Sequence, residues 1–240
     1  MISYIIPFLN EEIHILKTIN EVIHASKKLK INDFEIILID DKSTDNSVIL
    51  IKEYVRKNNF KNIFIFSNQR NLGYGGSIKV GILKAKKNNL MWLPGDNAYH
   101  ADELSKIIKN CGEFDIVSSF FLNPNKRNSF RKNFTKLYTP FLNRIFGLNL
   151  PYYCGIILAK KEIPKNIRVT TDSHFFQVEF WVRSFFYKRN LSFKFEALDV
   201  RDNPNSAKSF KLNNSIKVII NFFKLLFISI IYKIYFKLFS

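Results

Sequence analysis

"LMWLPGDNAYH", residues 90–100, is apolar from Leu90 to Leu93, stops at Pro94, turns on Gly95 and then presents one carboxylate, Asp96. A short apolar run closed by turn residues reads as a strand covered on both faces. An acid just beyond the carboxyl end of such a strand stands where open parallel sheets bind their ligands. Whether the run belongs to such a sheet is decided by what surrounds it.

Upstream and downstream, two periods alternate. Residues 3–8, 34–40, 62–67, 90–94 and 114–120 read as strands. Residues 11–29, 45–58, 75–87 and 101–110 read as helices. In the first helix Ile13, Leu16, Ile19, Val22 and Ile23 recur at three and four. Asn10 stands at the N-cap, and Glu11 and Glu12 fall where the helix dipole favours acids. Thr44 or Asp45 caps the second helix. This alternation predicts an α/β fold: a Rossmann-like, mostly parallel sheet with helices on both faces. The second half is less regular. A strand is expected at 154–160, a helix at 172–190, a strand with one wet face at 192–200, and a polar loop at 201–209.

The segment 212–240 is apolar and punctuated by lysines. Lys217, Asn221 and Lys224 form one helical stripe, while Ser229, Lys233 and Lys237 form a second, rotated most of the way round. Two amphipathic pieces with a break between them fit better than one straight helix. They either pack on the preceding domain or lie in a membrane interface, lysines toward anionic headgroups. The density of aromatic and branched residues favours the second.

Composition sets wider bounds. The chain of 240 residues suits one medium domain with an appendage, and 47% hydrophobic residues exclude a disordered chain. Two cysteines, Cys111 and Cys154, give neither a disulfide framework nor a CxxC metal site, which favours a reducing compartment. The net charge of +17 suits a nucleic acid, an anionic membrane or a phosphorylated substrate, but joint enrichment in Lys, Asn, Ile and Phe gives the same charge by drift. No nucleic-acid module is visible, so no nucleic-acid partner is expected. "MISYIIPFLNEE" does not read as a signal peptide, and no stretch offers the roughly 20 apolar residues of a span. His14, His24, His100 and His174 form no zinc set, and Ser43 and Ser77 lack a nucleophile elbow.

Four loops follow the first four strands: "PFLNEE", "DDKSTDNS", "NQRNLGYGG" and "PGDNAYH". Acids, amides, glycines and hydroxyls thus collect on one edge. A turn and a helix cap account for Asp45, but less well for the adjacent Asp40 and Asp41, which can accept hydrogen bonds from a base or a ribose. "NLGYGG" permits close backbone approach. It is neither GxGxxG nor a Walker loop, and a dehydrogenase would carry its glycines after the first strand.

"IIPFLNEE", "IDDKSTDNS", "NLGYGGSIKVGI" and "PGDNAYHADEL", in this order, resemble the family 2 glycosyltransferases of the GT-A fold, most nearly the dolichyl- and polyprenyl-phosphate sugar synthase branch. The likeness is strong over 1–122 and looser to about 211. It implies a catalytic domain at 1–211, with a nucleotide-sugar half at 1–122, an acceptor half at 123–211, and the tail beyond. In this family a strand ends in Asp-x-Asp holding Mg2+ or Mn2+ on the diphosphate of a nucleotide sugar. Here Asp96 matches the second acid and Pro94 replaces the first. One carboxylate remains, with Asn97, Tyr99 or His100 as possible helpers.

The resemblance further implies that Pro7, Leu9, Asn10 and Glu11 frame the nucleoside, that Asp40 or Asp41 contacts base or ribose, and that Asn71 and Gly73 line the pocket. Lys42 replaces a usual glycine, so that loop is expected to differ in shape. The implied reaction is inverting transfer from a UDP- or GDP-linked sugar to polyprenyl phosphate or a glycan. Asp96-bound metal, Arg201 and Lys208 would neutralise the leaving diphosphate. A hydroxyl acceptor would need a base, Glu179 or Asp172, whereas a phosphate acceptor would not. Tyr152 and Tyr153 are placed in the core or in an acceptor groove. The expected setting is peripheral, on the cytoplasmic face of a membrane. A catalytically degenerate nucleotide-sugar-binding protein is the alternative.

Overall fold

A computed structural model describes residues 1–122, 129–201, 222–227 and 230. Lys208 and most of 212–240 lie outside the described residues. In chain order the elements are β1 (Ile2–Phe8), α1 (Ile15–Lys28), β2 (Phe34–Asp40), α2 (Ser47–Lys57), β3 (Ile63–Ser67), α3 (Gly73–Lys84), β4 (Asn89–Trp92) and α4 (Ala101–Ile108). They continue with β5 (Ile116–Phe121), α5 (Ser129–Phe146), β6 (Ile157–Lys160), α6 (Glu162–Asn166), α7 (Phe176–Tyr187) and β7 (Phe193–Leu198).

The seven strands form one sheet in the order β3-β2-β1-β4-β6-β5-β7. β1 pairs in parallel with β2 and β4, β2 with β3, and β5 with β7. β6 runs antiparallel to both β4 and β5. β1 shows why its sequence is continuously apolar. Ile2, Tyr4, Ile6 and Phe8 join the core under α1 and α4, and Ile5 joins the opposite core with α3 and α7. Successive side chains of a strand point to opposite faces, and here both faces are covered. On the second face Trp92 meets Phe180 edge-on at 4.9 Å.

The first helix begins at Ile15, not at residue 11. Ile13 therefore falls outside it and is 66% exposed, while Ile15, Ile19, Val22 and Ile23 are buried as the periodicity requires. Asn10 does not cap it; its backbone is left-handed (φ 55°) and its side chain is engaged elsewhere. The helices α5 and α6 were not anticipated. In α5, Tyr138, Leu142 and Phe146 reach the second core at a four-residue spacing, across an internal Pro140.

Part of the tail packs on the domain. Phe222 lies against Phe141, Phe146 and Phe175 at ring distances of 5.7, 6.4 and 6.5 Å, and Leu225 is buried. Phe223, Phe227 and Ile230 remain exposed. Among the described residues no helix is long and apolar enough to cross a membrane.

Candidate active site

The carboxyl ends of β1, β2 and β4 meet on one rim. Phe8 pairs with Asp40, the Asp41 amide donates to the Phe8 carbonyl at 2.9 Å, and the Gly95 amide donates to the Pro7 carbonyl at 3.2 Å. The strands that lead to Asp40 and Asp96 are thus two strand spacings apart, roughly 10 Å. Among the described residues, five non-glycine residues have left-handed backbones. Lys30 and Asn59 follow the ends of α1 and α2, where such caps are common. The other three, Asn10, Lys42 and Asn97, sit one on each of these rim loops. Strained residues that persist are held by their surroundings, and they cluster at functional sites.

The β1 and β2 loops interlock. The Asn10 side-chain oxygen accepts the Thr44 amide at 2.7 Å, and the Asn10 amide donates to the Ser43 hydroxyl at 3.0 Å. The Glu11 amide donates to Ser47, the Glu12 amide to Asp45, and the Asn46 amide to the Glu12 carboxylate. Asp45 is buffered by this role. Burial opposes its charge, but hydrogen bonds from Ser47 and the Glu12 amide hold its carboxyl below the usual range. Pro7 is buried in β1, and Leu9 stands exposed on the rim. Lys42 takes φ 72°, a left-handed backbone of the kind that glycine adopts readily.

Asp40 and Asp41 are both buried but differ in what they hold. Asp40 accepts the Ser43 amide on Oδ1 at 2.8 Å. Asp41 uses both oxygens. Oδ1 accepts the Leu72 amide (2.7 Å) and the Asn68 side chain (3.0 Å), and Oδ2 accepts the Gly73 amide (2.9 Å). It thereby caps the start of α3. The next amides of that helix, those of Gly75 and Gly76, donate to the Asp172 carbonyl at 2.8 and 3.1 Å. A Cβ on Gly73 would lie 2.8 Å from that same carbonyl, and one on Gly75 would lie 2.6 Å from Phe176 Cβ. The close approach that the glycines permit is therefore to the chain's own segment 172–176. Asn71 is exposed beside this corner, its side chain 3.4 Å from the Asp41 carbonyl. A surface depression of about 520 Å³ opens there, lined by Gln69, Arg70 and Leu72. Gln69 and Arg70 were not singled out from sequence; their place directly after β3 was the available signal.

Asp96 is half-buried, and its Oδ1 accepts the Ala98 amide at 3.2 Å. Gly95 lets the loop lie against β1: a Cβ there would meet Phe8 Cβ at 2.9 Å and Ile15 Cδ1 at 3.0 Å. Thr18 of α1 donates to the Gly95 carbonyl (3.0 Å) and accepts the Asn97 amide (2.9 Å). Arg201 Nη1 donates to the Asn97 carbonyl, the Asn97 side-chain oxygen and the Tyr99 carbonyl at 2.9, 2.6 and 3.0 Å. Its Nη2 meets Glu21 in an ion pair and His100 Nδ1 at 2.7 Å. Burial, and then the charge of Asp96, push the Tyr74 phenol up, which places that ring in the field of the carboxylate. His174 stacks on Tyr74 with centroids 5.0 Å apart.

Glu179 is 2% exposed and accepts five hydrogen bonds. Thr170 gives its amide and hydroxyl, Thr171 the same two groups, and Arg183 its Nε. Burial raises its pKa, but the bonds from Thr171, Thr170 and Arg183 outweigh this and hold the carboxyl below its usual range. Asp172 pairs with Lys79. Tyr152 and Tyr153 are buried, and the Tyr153 hydroxyl donates to Asn143.

Among the described residues no group of three or more His, Cys, Asp and Glu is placed to hold a metal. The proposed helpers are committed, since Asn97 and His100 both serve Arg201. A single accessible carboxylate still fits Mg2+ or Mn2+ that arrives on a diphosphate, because such ions keep waters and phosphate oxygens as ligands.

A sheet of this order, with an acid at the switch between parallel and antiparallel pairing, defines the GT-A class of nucleotide-sugar folds. Residues 3–167 match the family model described as Glycosyl transferase family 2, so the chain belongs to that family. It is 29% identical to a dolichyl-phosphate beta-glucosyltransferase of Trichomonas vaginalis over 160 residues, covering 62% of this chain and 46% of that protein. It is 28% identical to an undecaprenyl-phosphate 4-deoxy-4-formamido-L-arabinose transferase of Aeromonas hydrophila, over 66% of this chain and 48% of that one. The chain thus spans about half the length of these curated relatives. Among solved structures, glucosyl-3-phosphoglycerate synthase of Mycobacterium tuberculosis, crystallised with Mn2+, UDP and phosphoglyceric acid, superposes with a TM-score of 0.70. That match has 16% identity and covers 94% of this chain and 78% of the other.

Proposed function

We propose that this chain transfers a sugar from a nucleoside diphosphate to the phosphate of a polyprenyl carrier, with inversion at the anomeric carbon. The observation that carries the reading is the placement of Asp96 two strands from Asp40 on one rim. That spacing suits a ligand with a nucleoside at one end and a diphosphate at the other. Asp40 engages the loop through one oxygen only, so it is the better of the two acids for base or ribose. Asp41 shapes the pocket by holding α3.

Leu9, Asn10, Glu11, Asn71 and Gly73 frame the nucleoside through their loops. Asp96 would hold the divalent ion, which when bound would supply charge neutralisation at the diphosphate. The acceptor oxygen forms its bond to the anomeric carbon as the bond to the diphosphate oxygen breaks, and the nucleoside diphosphate leaves. A hydroxyl acceptor needs a general base. The two sequence candidates are committed, Glu179 to five donors and Asp172 to Lys79. A phosphate acceptor is already ionised and needs neither. The names of the dolichyl- and undecaprenyl-phosphate relatives support the same acceptor class. A glycan acceptor is the weaker form of the reading.

Docking at an anionic membrane surface, on its cytoplasmic side, completes it. Leu137 and Phe141 of α5 and Phe223 and Phe227 of the docked tail are exposed together with Lys136 and Lys224. Such a mixture suits the interface of a bilayer with anionic lipids. The test is transfer of radiolabelled sugar from UDP- and GDP-sugars to polyprenyl phosphate or a glycan in vesicles. Formation of a labelled lipid phosphosugar by the wild type but not by Asp96→Asn supports the reading. Nucleotide binding without turnover would instead support a degenerate binding protein, the reading that Pro94 in place of the first acid favours.

A further inference from the structure

The residues on both sides of Asp96 are clamped by α1, β1 and Arg201. Gly95 bonds to Pro7 and Thr18, and Asn97 to Thr18 and Arg201. The carbonyls of Ala98 and Tyr99 accept from Arg201, His100 Nδ1 meets the same guanidinium, and the Ala101 amide donates to Glu21 at 2.6 Å. Thr18 and Glu21 are three apart and share one face of α1. Glu21 is central, because one oxygen holds Arg201 and the other holds the first amide of α4. Its side chain is 20% exposed and that of Arg201 25%, so the pair is shielded more than an ordinary surface pair.

We propose that Glu21 is a positioning residue for the transfer, acting through Arg201 and the 97–101 backbone to aim the Asp96 carboxylate. Asn97 explains the need. Its left-handed backbone (φ 56°) is unfavourable for a side-chain-bearing residue, and its amide, carbonyl and side-chain oxygen are all held from outside the loop. Where a second acid would otherwise fix the ion, one carboxylate must be aimed by its supports. Outer supports of metal ligands typically change affinity by about 10- to 100-fold. Arg201 has its Nη groups turned to protein acceptors, so its role at the diphosphate is indirect. The inference rests on the reading of Asp96 as the metal carboxylate.

The test measures Mn2+ affinity by electron paramagnetic resonance of free Mn2+, with saturating UDP or GDP, on the full chain. Glu21→Gln keeps the volume but removes the charge, and it is expected to weaken Mn2+ binding about ten-fold. Arg201→Lys, which loses the planar fork, is expected to do the same. Metal-free nucleotide affinity stays unchanged in both. Tyr54→Phe removes the Tyr54–Asn20 bond on another face of α1 and serves as a stability control, with unaltered Mn2+ affinity. Unchanged Mn2+ affinity in Glu21→Gln, or an equal shift in Tyr54→Phe, overturns the inference alone. A wild type that binds no Mn2+ with either nucleotide overturns the Asp96 reading, and this inference with it.

Discussion

Two acids that follow the parallel strands on either side of β1 are used in different ways. Asp41, after β2, turns inward and gives both oxygens to three donors from the loop before α3 and from its first turn. Asp96, after β4, is half-buried and accepts the Ala98 amide of its own loop, while its neighbours are tied to α1 and Arg201. In the first case the carboxylate builds the frame. In the second the frame is built around the carboxylate. Position at a strand end therefore does not by itself assign a role to an acid: Asp41 accepts from the start of α3, and Asp96 from its own loop.

The sharpest way to break this contrast is Asp96→Asn. It is expected to lower kcat/KM by about a hundred-fold or more while leaving the melting temperature near wild type. A large melting shift with modest loss of turnover would put Asp96 in the structural class. Asp41→Asn should show the reverse. Losing a buried charged acceptor of three N–H groups is expected to cost about 2–3 kcal/mol in urea unfolding, and residual activity should follow the folded fraction.

Glu179→Gln extends the contrast to the second half of the chain. A loss of about 1–2 kcal/mol is expected, with an unchanged pH–rate profile near neutrality. Because the folded Glu179 pKa is lowered, its stabilisation is complete above the unfolded value of about 4.3 and fades as pH falls through the folded one. The acid-induced loss of stability should therefore be shallower in the variant than in the wild type. A general base would instead remove an activity limb near neutral pH. The smallest effect is expected at Lys42→Gly. Relief of the left-handed backbone should stabilise by under about 1 kcal/mol, with donor KM unchanged if the loop already has the glycine shape.

Much of the fold was legible because β1, β2 and β4 are buried on both faces and so read as plain apolar runs. The rim was legible for the same reason, since its polar loops begin where those runs end. The direction of β6 was not, because a four-residue apolar strand looks alike in either sense. The helix α5 was passed over although Tyr138, Leu142 and Phe146 keep its spacing; Pro140 and the surrounding Asn, Lys and Arg obscure it. Asn10 carried an honest cap signature, but the amide of Thr44, 34 residues away, captured its side chain. The approach that Gly73 and Gly75 permit to the segment 172–176 was not legible, because that segment lies about a hundred residues further along. Glu21 had no local signal at all, because its partners, Ala101 and Arg201, lie 80 and 180 residues further along.

That last separation has a consequence for biosynthesis. The guanidinium that gathers residues 97–100 follows β7, the final strand of the sheet. β1 through β4 and the loops that follow them are all synthesised before position 201 leaves the ribosome. The loop that carries Asp96 is gathered only afterwards, when the Arg201 side chain reaches Asn97, Tyr99 and His100.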